Sequence, residues 1–210
     1  MKQAKCKICR RLGDKLFLKG EKCMSAKCAM VKRPFPPGQK AKKRRSALTE
    51  FGREMREKQK VKKWYNLSES QFEKYVFEVM GNRGSGTADV ASQLVSKLES
   101  RLDNIIFRLG WAKSRGQARL LVTHGHFLVN GRKVDIPSYR ISPGDAISIR
   151  EGSKGKEALK NLGETMKKYS LPQWLSFDGA KNEGKVMRLP TPEDVQLPSE
   201  VSTIFEHYSR

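Results

Sequence analysis

The stretch ESRLDNIIFRLGWAKSRGQARLLVTHGHFLVNGRKVDIP, residues 99–137, decides the fold. Its first part keeps a helical period: Leu102, Ile105, Ile106 and Leu109 share one face, while Arg101, Asn104 and Arg108 stand on another. After a break at Gly110–Trp111, Ser114 and Gln117 form a capping box for a second helix that closes at Gly125. On that helix Ala118, Leu121 and Val122 turn inward, and Arg115 and Arg119, four apart, share a different face. The period then switches to two. Phe127 and Val129 alternate, Asn130–Gly131 supplies a tight turn, and Val134 and Ile136 alternate on the return. Ser142–Asp145 makes a further turn and Ala146–Arg150 another short strand. Two basic-faced helices followed by a short antiparallel sheet predict a small α/β module over residues 99–155.

On its N-terminal side the chain reads as helical. Ser68 and Gln71 cap a helix whose Phe72, Tyr75, Val76 and Val79 recur at core spacing, and Leu94, Val95 and Leu98 continue the pattern beyond it. GNRGSGT, residues 81–87, reads as a linker, because it lacks the Lys-Ser/Thr ending of a P-loop and any preceding strand. The segment from Lys40 to Tyr65 reads as a largely polar helix, in which apolar Phe51, Met55 and Val61 are sparse from Leu48 on. Solvated pairs such as Glu54–Lys58 would suit it, but its surplus of positive charge favours contact with a polyanion. Towards the C-terminus residues 156–169 predict a helix, LPQWLSFD and KVMRLP two strands, and Val201–Tyr208 a final helix in which His207 packs.

Charge is segregated. The net charge is +21, of which residues 1–63 carry +17 and residues 101–156 carry +7, the rest being slightly acidic. Two separate basic blocks imply a polyanionic partner met in two places. No apolar run approaches the roughly 20 residues needed to span a membrane, and MKQAKCKIC lacks the apolar core of a signal peptide. Neither block pairs its charge with a Trp/Phe/Leu-rich face, so a cytosolic chain without a membrane partner is expected.

All four cysteines fall between residues 6 and 28, spaced Cys6-x2-Cys9-x13-Cys23-x4-Cys28. Two close pairs separated by a dozen or so residues suit a tetrahedral metal clasp. Disulfides conflict with a reducing cytosol, and a redox site needs a βαβ context that this lysine-rich segment does not provide. Four thiolates suit structural Zn²⁺ and also an iron–sulfur cluster, with base rates favouring zinc. A closed four-ligand site leaves no open position for catalysis.

The expected fold is α+β. A mostly helical domain carries an N-terminal Cys₄ lobe at 1–40 and basic and amphipathic helices at 41–98. The α/β module at 99–155 is inserted, and a C-terminal helix, hairpin and tail at 156–210 pack with the helical region.

The runs CKICRRLGDKLFLKGEKCMSAKCAMVKRPFPPGQ and REKQKVKKWYNLSESQFEKY, the segment from Leu98 to Asp145 and the terminal FEHYSR resemble the universal S-four family of bacterial small-ribosomal-subunit proteins, in order and at family spacing. The block from Glu99 to Gly152 is similar to the RNA-binding module named after that family, which also occurs in some pseudouridine synthases. No separate catalytic domain with a positioned Asp accompanies it here, so an enzyme is not expected. The resemblance implies a structural constituent of the small subunit that binds the 5′ domain of its ribosomal RNA at a multi-helix junction and nucleates assembly. It also implies a place near the messenger-RNA entrance and an interface with small-subunit protein five that is linked to decoding accuracy. A free-standing RNA-binding regulator or translational repressor is the alternative. Where the family usually has PPGQHG this chain has PPGQKA, so Lys40 replaces a histidine and can still meet a phosphate.

Phosphate contacts are therefore expected from both blocks, with counterion release supplying affinity and the spacing of the blocks supplying selectivity. In the module they fall on Arg101, Arg108, Arg115, Arg119, His124, His126, Arg132 and Lys133. In the N-terminal block they fall on Arg10, Arg11, Lys40, Lys42, Lys43, Arg44, Arg45, Arg53, Arg56, Lys58, Lys60, Lys62 and Lys63. The metal ligands are Cys6, Cys9, Cys23 and Cys28.

Overall fold

Asn130 and Gly131 both adopt left-handed backbone, φ +48° and +77°, and turn β1 (Phe127–Val129) back on β2 (Arg132–Lys133). The same strand pairs on its other side with β3 (Ala146–Ile149), as its alternating burial predicts. These elements belong to a computed structural model that describes residues 4–38, 47–81, 89–153, 155–156, 159, 170–179 and 181–209. The basic run at 40–45, most of the glycine-rich linker and most of the helix expected at 156–169 lie outside the described residues.

The chain divides into two compact units, Met1–Ala91 with Leu197–Arg210, and Ser92–Gln196. In the second, α7 (Leu102–Arg108) and α8 (Arg115–Thr123) cover a five-stranded antiparallel sheet of order β2-β1-β3-β5-β4, where β4 is Leu175–Asp178 and β5 is Glu183–Val186. Ser114 Oγ accepts from the Gln117 N–H, and Gln117 Oε1 accepts from the Lys113 N–H at 2.9 Å. The expected cap of α8 is thus present, with Lys113 as the reciprocal donor. Leu102, Ile105, Ile106 and Leu109 from the first helix meet Ala118, Leu121 and Val122 from the second over Phe127, Val129, Ile147 and Ile149. Burying each Leu, Ile or Phe is worth about 1.5–3 kcal/mol. Trp111 stacks on Phe127 with ring centroids 5.7 Å apart, and Trp174 is wholly buried beside them.

The C-terminal hairpin differs from expectation. It extends the module's sheet, with β5 paired to β3 through Ile147↔Gly184, whereas only the last helix joins the helical unit. The second strand also begins at Glu183 rather than Lys185, because Asn182 takes φ +51° and turns the chain there. Gly184 explains the register. A Cβ at this position would lie 2.6 Å from Leu109 Cδ1, a side chain with no room to move in the core. Only glycine lets α7 approach the sheet this closely.

The first unit contains α1 (Lys5–Leu12), α2 (Glu21–Met24), α3 (Ala29–Lys32), α4 (Glu50–Trp64), α5 (Glu69–Gly81) and α9 (Val201–Ser209); α6 (Val90–Glu99) leads into the module. Thr49 Oγ1 caps α4 by accepting from the Gly52 N–H, and Ser68 Oγ accepts from the Gln71 N–H to cap α5 as expected. The cations of α4, expected to meet a polyanion, are in part drawn into the protein instead. Glu54, Lys58 and Lys62, spaced four apart, form a buried charged stripe. Lys58 reaches Glu69 at 2.9 Å and lies 5.0 Å from the Tyr208 ring, and Lys62 also pairs with Glu69. Burial pushes the Glu69 carboxyl up, but the Lys62 and Lys58 ammonium groups outweigh it and hold its pKa at about 2. Tyr208 Oη donates to the same carboxylate at 3.3 Å, and His207 packs 5.1 Å from Phe51 with its Nδ1 3.7 Å from Glu54 Oε2. These contacts fasten α9 to α4.

Replacing Gly184 by valine should destabilise the second unit by about 1–3 kcal/mol through overpacking against Leu109. A urea titration followed by tryptophan fluorescence reads this through Trp111 and Trp174; an unshifted midpoint would contradict the packing account.

Candidate nucleic-acid interface

Glu99 is wholly buried at the end of α6 and organises the module's arginines. Arg108 donates to both of its oxygens at 2.8 Å, Asn104 donates to Oε2 at 2.6 Å, and the Arg115 guanidinium stands 4.0 Å from Oε1. Arg115 also donates to Asn104 Oδ1 at 2.8 Å and lies 4.5 Å from the centre of the Phe107 ring. A second buried pair lies next to it. Arg101, 2% exposed, donates in fork geometry to Asp103 at 3.0 and 2.8 Å, and Arg119 approaches the same carboxylate at 4.0 Å. The start of α7 is pinned by its Leu102 and Asp103 N–H groups, which donate to the Tyr139 and Pro137 carbonyls.

Among the cations expected to meet phosphate, the structure therefore separates two kinds. Burial takes Arg101 out of the solvent-facing set, and Arg108 and Arg115 direct their guanidinium groups onto interior acceptors. The face that carries Arg101, Asn104 and Arg108 looks onto Glu99 and Asp103, and Arg115 on α8 reaches Asn104 and Glu99 from the other helix. Arg119 remains over a third exposed, and His124, Arg132 and Lys133 face solvent.

His126 is also a correction. It is buried, its Nδ1 lies 3.0 Å from Ser153 Oγ, and its carbonyl accepts from the Arg150 N–H. Burial lowers its pKa, and the charges of Lys156, His124 and Arg150 push in the same direction. The lowering favours the neutral ring and reports a local concentration of positive charge around it. Gly125, at φ +66°, ends α8 and lies under Lys133, since a Cβ there would fall on Lys133 Cε. Arg150 and Lys156 thus join His124 and Lys133 near one end of the module, and both are exposed. Sequence reasoning passed over these two; the signal was the EGSKGK run directly after the last strand of the module.

In the N-terminal block most of the expected cations among the described residues have partners within the protein. Arg10 donates to the Phe35 carbonyl at 2.8 Å and lies over its ring. Arg56 donates to the Leu12 carbonyl, satisfying the end of α1. Lys60 bridges Asp14 at 2.6 Å and Glu57 at 2.7 Å, and Lys58 and Lys62 hold Glu69. Arg11 and Arg53 are exposed and Lys63 half-buried. Lys40, Lys42, Lys43, Arg44 and Arg45 lie outside the described residues.

The four cysteines are free thiols lining one small recess of about 10 Å³ with Leu18 and Met30. Cys9, Cys23 and Cys28 are buried and Cys6 half-buried. The Leu16 N–H points to Cys9 sulfur and the Lys19 N–H to Cys23 Sγ at 3.4 Å. Burial pushes the Cys9 thiol up and the charges of Cys23, Cys6 and Cys28 add to it, which places the four sulfurs within electrostatic reach of one another. As placed, no three His, Cys, Asp or Glu side chains among the described residues stand in metal-holding geometry. The donor set nonetheless fits a soft-liking cation: four sulfurs around one recess, two of them supported by backbone N–H groups. Among the described residues no helix is long and apolar enough to cross a membrane.

Residues 1–98 match the ribosomal protein S4/S9 N-terminal domain and residues 100–147 match the S4 domain, so the fold is that of a ribosomal protein with an RNA-binding module. Small ribosomal subunit protein uS4 of Caldicellulosiruptor saccharolyticus is 48% identical over 205 residues, 98% of this chain and 96% of that protein. Those of Thermus thermophilus and Thermotoga maritima are 47% and 46% identical with the same coverage. The chain belongs to the uS4 family of small ribosomal subunit proteins, a family of non-enzymatic proteins.

Removing the buried charge at Glu99 leaves the Arg108 guanidinium without its counter-ion and turns one of the two acceptor oxygens into a donor. Glu99→Gln should cost about 3–5 kcal/mol, the range for breaking a buried pair. Chemical denaturation would measure it; a loss below about 1 kcal/mol would mean that the arginines are not held by this carboxylate.

Proposed function

We propose that the chain binds the 5′ domain of small-subunit ribosomal RNA at a junction of several helices, as an early assembly protein. The observation that carries this reading is the division of its cations. After buried Asp103 and Glu99 have taken Arg101 and Arg108, and the more exposed Glu69 and Asp14 have paired with Lys58, Lys62 and Lys60, a set remains on the outside of each unit. In the module it comprises Arg119, His124, Arg132, Lys133, Arg150 and Lys156, and in the helical unit Arg11, Arg53 and Lys63. Each neutralised phosphate releases counterions, and two rigid sets select an RNA shape rather than a sequence. Family resemblance supports a location close to the messenger entrance and to small-subunit protein five. The basic run of Lys40 and Lys42 to Arg45 belongs to the same reading.

Cys6, Cys9, Cys23 and Cys28 would hold a structural Zn²⁺, with an iron–sulfur cluster as the alternative occupant of four thiolates. A bound cation lets all four sulfurs ionise together and ties α1, α2 and α3 into a lobe whose own core is little more than Cys9, Leu12 and Leu16. The chain's own contribution is the placement of the sulfurs and the N–H groups that support Cys9 and Cys23.

Affinity for a transcript of the 5′ domain should fall steeply with salt, and Arg132→Ala with Lys133→Ala should reduce the slope of log K against log salt by about two. Filter binding across roughly 50–300 mM salt reads it, and a flat response overturns phosphate contact as the main source of affinity. The purified protein should carry close to one metal equivalent as zinc, or iron as a cluster, and Cys9→Ser should release it and loosen the N-terminal lobe. Elemental analysis decides, and protein free of both metals rules the clasp out.

A further inference from the structure

Where α1 and α4 face one another they leave a recess of about 230 Å³, lined by Ile8, Arg11, Leu12, Gln59 and Lys63. The first three are one stripe of α1, at i, i+3 and i+4, and the last two are one stripe of α4, at i and i+4. The rim and the floor differ in chemistry. Ile8 and Leu12 pack onto Cys9 and Leu16 and give the floor an apolar surface. Arg11 and Lys63 bring two positive charges, and among the described residues neither makes an ion pair, while their neighbours Lys60 and Lys62 are engaged with Asp14 and Glu69. Burial and the nearby Lys62 charge lower the Lys63 pKa, so an anion at that point would be welcome. The carbonyl end of α1, which would repel an anion, is covered by Arg56.

We propose that this recess seats a single unpaired nucleotide of the RNA, with its phosphate shared by Arg11 and Lys63, its base against Ile8 and Leu12, and Gln59 at the base edge. The inference rests on the RNA-binding reading and adds a built pocket to it. A bare phosphate or an acidic side chain has no use for an apolar floor, whereas an extruded base brings a flat apolar face, a polar edge and an attached anion together. The volume lies below the roughly 300 Å³ at which pockets for drug-sized ligands begin, a size in keeping with one seated base.

The test uses the full-length chain and a transcript of the 5′ domain of small-subunit ribosomal RNA, with chemical probing of unpaired nucleotides. Gln59→Trp, which fills the recess, should weaken binding by about 5- to 150-fold, the worth of one base-stacking contact. It should also expose one nucleotide that the wild type protects and leave the salt slope unchanged. Ile8→Trp fills the recess from the α1 side and must give the same result, with circular dichroism confirming helix content for each. Arg11→Gln with Lys63→Gln should lower the salt slope by about one and expose the same nucleotide. If both tryptophan variants bind and protect as the wild type does, the pocket is overturned although RNA binding stands. Loss of salt slope in the glutamine variant alone reduces the site to a bare phosphate contact and overturns the seated base. Failure of the wild type to bind the transcript at any salt would instead overturn the RNA-binding reading itself.

Discussion

A carboxylate with no exposure to water sets the order of the module. Glu99 accepts from Arg108 and Asn104 and stands 4.0 Å from Arg115, so one buried negative charge aligns side chains from both helices. Leaving any partner unmatched there would be costly, because a buried charge without its counterpart has nothing to replace its lost hydration. The geometry of α7 and α8 follows from satisfying that group, and the sheet follows from what those helices cover. Arg101 with Asp103 repeats the arrangement at the N-terminus of α7.

This arrangement sorts the basic residues by task. A strongly basic chain must hold together against its own repulsion before it can attract a polyanion. The interior pairs take some of the positive charge out of that balance, and the stripe of Glu54, Lys58 and Lys62 with Glu69 does the same in the helical unit. The cations that remain outside stand on backbones already fixed by the ones inside. Lys133 crosses Gly125 and Arg150 hangs from the His126 carbonyl, so both leave rigid positions rather than mobile loops. RNA read by shape needs charges that do not move.

Local patterns in the chain were legible, and distant partners were not. The caps at Ser114 and Ser68, the Asn130–Gly131 turn, the core faces of α5, α7 and α8 and the cysteine cluster are all set by residues a few positions apart. An arginine at helical spacing says which face it occupies, but not whether a carboxylate waits across from it. That is why Arg101 and Arg108 read as surface, whereas Arg101 proves to be buried and Arg108 to be tied to a buried carboxylate. The pairing of β3 with β5 joins Ala146 to Lys185, and what permits it is the missing side chain of Gly184 beneath Leu109. A single glycine in a polar stretch gives no periodicity to read. Arg150 and Lys156 escaped for a similar reason: one ends a strand and the other stands among glycines.

The helical unit is discontinuous, with α9 drawn from residues 201–209 to lie on α4 at residues 50–64. The second unit, by contrast, is one uninterrupted segment. During synthesis the inserted segment has all its contacts available before the polar stripe of α4 receives its cover. Domains emerging from a ribosome usually mature in order from the N-terminus; here the chain order and the order of completion are reversed. The α4 stripe must wait, with Lys58 and Glu54 still wet, until His207 and Tyr208 arrive.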